Sequence, residues 1–150
     1  MRLSKVYETT RGKIIVIAIV CLDQNNGMYF NERRQSRDRY VVRDILEMTK
    51  DSVLHINSYS EDLFENQVKR YMISDDYFSD AKEDEYCFVE NHILDQSAAD
   101  QLIVYRWDKV YPADHRLNLE KWRMVSKIEF MGYSHDTIIK EVYEKNDTEK

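Results

Sequence analysis

The nine-residue run Ile14–Leu22 constrains the fold most, because it is almost entirely β-branched or aliphatic and carries no charge. Such a run reads as a central strand buried on both faces, which belongs to a parallel sheet covered by other elements. It is about half of what a membrane-spanning helix needs. Asp23-Gln24-Asn25-Asn26-Gly27 is a turn signal, and Met28-Tyr29-Phe30 leads into Arg33-Arg34-Gln35-Ser36-Arg37-Asp38-Arg39. A buried strand, a polar loop and a helix start are where α/β proteins hold ligands, beyond the carboxyl ends of strands.

At 150 residues, with 43% hydrophobic and 33% charged positions, the chain is one globular domain. Residues 13–145 read as that domain, 1–12 as a polar N-terminal extension and 146–150 as a polar tail. A net charge of −6 opposes general nucleic-acid binding. Arg2, Lys5, Arg11 and Lys13 precede the apolar run as in a signal peptide, but Leu22-Asp23-Gln24-Asn25 offers no small-residue cleavage site. A cytoplasmic protein with no membrane partner is expected. Cys21 and Cys87 lie in apolar segments and read as reduced, buried thiols.

The rest of the chain alternates. Ser36 can cap a helix to about Lys50, with Val41, Val42, Ile45, Leu46 and Met48 on one face. Val53–Ile56 is a second strand, followed by a short helix capped by Ser58 or Ser60 and holding Leu63 and Phe64. Arg70–Ile73 is a third strand, and Tyr77-Phe78 a packed turn in the acidic segment Asp75–Asp84. Tyr86–Val89 and Leu102–Trp107 are apolar strands. Trp122–Ile128 and Thr137–Tyr143 form a hairpin about Gly132. The pattern predicts an α/β domain of three layers. Its central sheet is mixed and mainly parallel, with helices on both faces and an antiparallel C-terminal strand pair.

That order resembles the dihydrofolate reductase family over roughly Lys13–Lys145. The first strand with Gly27-Met28 is similar to the family's opening strand and active-site loop. Asp38 falls near the family's catalytic acid, and Val53-Leu54-His55-Ile56-Asn57 is similar to the strand leading to its cofactor helix. Leu102–Trp107, Val110–Asp114, Trp122–Ser126 and Ile138–Lys145 resemble the closing strands and their linking loop. The resemblance implies a reductase-like fold. The sequence departs from the family where NADPH is held. Glu90-Asn91 stands in place of the glycine pair that lets backbone approach the pyrophosphate. Asn57-Ser58-Tyr59-Ser60 replaces Gly-Arg-x-Thr, and Arg33-Arg34-Gln35 replaces the loop's Pro-Trp. These changes predict no NADPH-dependent activity and no cofactor. The chain also resembles short bacterial proteins sharing patterns such as Arg33–Ser36, Tyr86–Asn91 and Tyr105-Arg106-Trp107, some carrying the label ribonuclease Z. Its four histidines stand singly, without the clustered ligands of a two-zinc hydrolase, so no metal site is expected.

Among candidate site residues, Asp38 shares the inward face of the predicted helix with Val41 and Val42. It is either a pocket acid or an N-terminal acid favoured by the helix dipole. Arg33 and Arg34 precede the helix and can grip a phosphate or carboxylate, with Gln35 as a loop hydrogen-bonder. Asn57, Ser58 and Ser60 sit at a strand end, an anion site or a plain cap. Glu90 and Asn91 sit at another strand end. Ser134-His135-Asp136 reads as a turn, since adjacent residues do not converge as a triad. The expected function is binding of a small anionic or nucleotide-like ligand. Alternatives are an enzyme, either an unorthodox reductase or a hydrolase using Asp38 and Glu90 as acid and base, and a protein-interaction module. In the binding reading, Asp38→Asn alters ligand affinity more than stability.

Overall fold

The computed structural model describes residues 16–64 and 71–146. The expected N-terminal extension, the start of the first strand at Ile14-Ile15, Arg70 and residues 147–150 of the tail lie outside the described residues. A seven-stranded sheet organises the chain, in the order β5-β4-β6-β1-β7-β10-β9. Its strands are β1 (Val16–Leu22), β4 (Leu54–Ile56), β5 (Tyr71–Ile73), β6 (Glu85–Phe88), β7 (Gln101–Arg106), β9 (Trp122–Phe130) and β10 (Ile138–Lys145). The apolar run is central as expected, with β1 parallel to β6 on one side and to β7 on the other. The five strands from β5 to β7 are parallel, whereas β10 runs antiparallel to both β7 and β9. This is the mixed, mainly parallel sheet with an antiparallel C-terminal pair.

Alternate side chains of β1 divide two cores. Ile17 and Ile19 pack under helix α1 (Arg39–Thr49), against its Val41, Val42 and Ile45. Val16, Ala18 and Val20 face the other side. That side is covered by the four-residue helix α2 (Tyr77–Asp80), a 3-10 turn at Gln96–Ala98 and the irregular segments carrying Leu94, Ala99 and Leu117. Both faces are therefore covered, one of them by short elements.

Two caps differ from expectation. Asp38, not Ser36, caps α1: its backbone is extended and its carboxylate accepts from Tyr40 N. Asn57, not Ser58 or Ser60, caps the 3-10 turn Ser58–Leu63, accepting from Ser60 N. A second sheet, β3-β2-β8, was not foreseen; it joins β2 (Gly27–Phe30), β3 (Arg33–Arg34) and β8 (His115–Arg116). Its hairpin turns through Asn31 and Glu32, both at positive φ (53° and 58°). Two such residues give the twist that closes a two-residue hairpin. This small sheet carries Arg33 and Arg34 back over the carboxyl end of β1.

Candidate functional site

The loop after β1 is built on a buried carboxylate and a partly buried guanidinium. Asp23 accepts from Asn25 N, Gly27 N, Tyr111 N and Gln35 Nε2 at 2.8–3.0 Å. Burial opposes its ionisation, but the donors outweigh burial and hold its pKa below the usual carboxylate range. Gly27 is needed for this packing, because a Cβ there would lie 2.7 Å from Gln35 Nε2 and 2.8 Å from Asp23 Oδ2. Arg106 bonds Asp23 O and Asn26 Oδ1 while pairing with Glu141. The loop is thereby tied to β7 and β10.

At the start of α1, Asp38 is 2% exposed. Besides Tyr40 N it accepts from the backbone N–H groups of Tyr133, Ser134 and His135, from Ser134 Oγ and from His135 Nδ1. Burial pushes its pKa up, but this array of donors outweighs it and holds the carboxyl far below its ordinary value. Asp38 thus ties the β9–β10 connection to the helix N-terminus as an anion at neutral pH. Its acceptor positions face protein donors, which leaves little capacity for transferring a proton. The His135 ring stacks on Trp107 with centroids 4.6 Å apart. Its Nε2 meets Ser36 Oγ at 2.9 Å and Tyr111 Oη at 3.2 Å.

Glu90, 5% exposed, follows β6 and meets Arg34 in a two-point pair, with Nε to Oε1 and Nη2 to Oε2 both at 2.8 Å. Ser60 Oγ donates to the same carboxylate at 2.7 Å. Arg34 also reaches Asp62 at 3.2 Å and lies over the Tyr59 ring. Burial disfavours the guanidinium charge, but the Glu90 bonds outweigh this and raise the pKa of Arg34 further. Asn57 donates to Asn91 at 3.0 Å, linking the ends of β4 and β6.

Arg34, Gln35, Asp38 and Glu90 line one concavity with Ser36, Cys21, Met28, Phe88 and Trp107 among others. It has about 10 Å³ of cavity volume, room for about one water molecule. A wider hollow of about 520 Å³ shares Arg34 and Gln35 and adds Phe30, Asn31, Arg33, Tyr111 and Pro112. Gln35 Oε1 is buried without a hydrogen-bond partner. Ser60 bonds the Glu90 that lines the concavity, Asn57 and Asn91 are not among the residues lining either hollow, and Ser58 is exposed. Cys21 lines the concavity, where burial and then the Glu90 charge push its thiol far above the ordinary value, so it stays protonated.

No family model matches the chain, and no curated protein is similar to it in sequence. Solved structures are similar, among them a dihydrofolate reductase from Enterococcus faecalis complexed with NADP(H) and RAB-propyl. The match has a TM-score of 0.61 at 13% identity and covers 89% of this chain and 97% of that one. The fold is dihydrofolate reductase-like. At that identity the likeness concerns the fold alone. Among the described residues no three His, Cys, Asp or Glu side chains are grouped to hold a metal ion, and no helix is long and apolar enough to cross a membrane.

Ser36, Asp23, Trp107, Tyr111 and His135 were missed as members of this region. Asp38 and His135 lie 97 positions apart, so no local pattern joins them. The run Ser134-His135-Asp136 contains the right histidine, but its carboxylate partner, Asp38, and its shortest hydroxyl contact, Ser36, come from the loop before α1.

Proposed function

We propose that this reductase-like domain binds a small anionic or nucleotide-like molecule in the paired hollows beyond β1, without NADPH-dependent reductase activity. The carrying observation is that Gln35, shared by both hollows, keeps a buried Oε1 with no hydrogen-bond partner. A buried acceptor without a donor costs about 1–3 kcal/mol, which a ligand N–H or O–H would recover. The wider hollow has the volume for a planar ligand, with Phe30 and Tyr111 as its aromatic walls and Arg33 as a cation on its lining.

Against NADPH stands the chemistry at the end of β6. Glu90 already holds the Arg34 guanidinium and the Ser60 hydroxyl, the donors a phosphate would need. Arg34 balances the Glu90 charge, so the obstacle is an occupied donor set and a bulky side chain. The reading in which Asp38 and Glu90 act as acid and base has less support, because both are held by protein donors. A cytoplasmic setting fits the two free cysteines, Cys21 and Cys87.

A thermal-shift screen of nucleotides, folates and sugar phosphates tests the proposal. A ligand at 100 times its dissociation constant adds about 2.7 kcal/mol of stability. Gln35→Leu should abolish the shift. A shift that survives Gln35→Leu unchanged would move the site elsewhere.

A further inference from the structure

Resting on the reading of these hollows as a ligand site, we propose that they also hold a serine nucleophile. Ser36, His135 and Asp38 would form a relay that cleaves esters of small acyl groups. Asp38 Oδ2 lies 3.0 Å from His135 Nδ1, and Ser36 Oγ lies 2.9 Å from Nε2 of the same ring. A carboxylate beside Nδ1 keeps the proton there, leaving the Nε2 lone pair facing the serine hydroxyl. The other donors on Asp38 hold it as an anion, and Trp107 stacking fixes the plane of the imidazole. Asp38 is thus a positioning residue, and Ser36 and His135 are the reacting groups. Tyr111 Oη approaches Nε2 at 3.2 Å, longer than the serine contact.

Access matches this chemistry. Ser36 is half-buried and lines the inner concavity, whose walls include Met28, Val42, Phe88 and Trp107. With a volume of about 10 Å³ the inner concavity holds about one water molecule, so only a small acyl carbonyl reaches Ser36, and the rest of the ester would lie in the wider hollow that shares Arg34 and Gln35 with it.

In the reaction, Ser36 Oγ bonds to the carbonyl carbon while its proton passes to His135 Nε2. The bond to the alcohol oxygen then breaks, and that oxygen takes the proton from Nε2, leaving an acyl ester on Ser36. Water attacks this ester with His135 accepting a proton. Ser36 Oγ leaves and recovers the proton, releasing the carboxylic acid.

The full chain should be treated with a fluorophosphonate, the adduct located by peptide mass spectrometry, and p-nitrophenyl acetate turnover measured for the wild type and Ser36→Ala. One phosphonyl group on Ser36, and a loss of esterase rate in S36A of at least about 100-fold, are expected. No adduct, an adduct on another residue, or an unchanged rate in a folded S36A would overturn the proposal. Adduct mapping in the wild type decides the matter even if the variant does not fold. The ligand screen on S36A separates the two readings. Retained thermal shifts with no wild-type adduct leave the binding site standing and remove only the relay.

Discussion

Arg34 and Glu90 face each other across the end of the sheet, joined through Nε and Nη2 by two 2.8 Å contacts, with Arg34 15% and Glu90 5% exposed at the side chain. Removing one member of a buried pair leaves the other uncompensated. Glu90→Gln should therefore cost about 2–3 kcal/mol, moderated because Arg34 keeps Asp62. Combining Arg34→Met with Glu90→Leu should cost less than the two single changes together. Urea melts of the four proteins give the coupling, and strict additivity would show that the pair is not a unit.

Asp38→Asn should lower stability by about 3 kcal/mol, since the amide replaces an acceptor with a donor among backbone N–H groups. This reverses the expectation from sequence that the change acts chiefly on ligand affinity. An Asp38→Asn protein that melts with the wild type would restore the earlier expectation.

Acid should weaken the fold through the same group. The folded pKa of Asp38 is depressed, so its contribution is complete above the unfolded value of about 3.9 and declines as pH falls below it toward the folded value. Asp23 acts in the same direction. Melting temperature measured from pH 6 to pH 2 should fall below about pH 4, and less steeply in Asp38→Asn. Identical slopes in both proteins would contradict this assignment.

Gly27→Ala places a Cβ within 2.8 Å of Gln35, Ala113 and Asp23. A loss of about 1–3 kcal/mol is expected from such overpacking, together with weakened ligand shifts, because Gln35 must move. Calorimetric unfolding at wild-type temperature would show that the loop yields freely.

The central strand was legible because every residue of β1 is apolar, whichever face it points to. The α1 face was legible from Val41, Val42 and Ile45. Its start was not, since Ser36 and Asp38 are both competent caps and the choice was made by donors from residues 133–135. The β2-β3-β8 sheet escaped because its strands span two to four residues and its turn, Asn31-Glu32, lacks glycine. Arg34, Gln35, Asp38 and Glu90 were legible as polar residues at strand ends and a helix start. Their pairings were not, because Arg34 and Glu90 are 56 positions apart and only tertiary folding sets which donor meets which acceptor.

Titration calorimetry with NADPH tests the account most directly, because it asks whether a reductase-like scaffold still accepts the reductase cofactor once Glu90 holds Arg34 and Ser60. No saturable heat is expected up to millimolar NADPH. A saturable isotherm with micromolar affinity would contradict the account and restore the reductase reading.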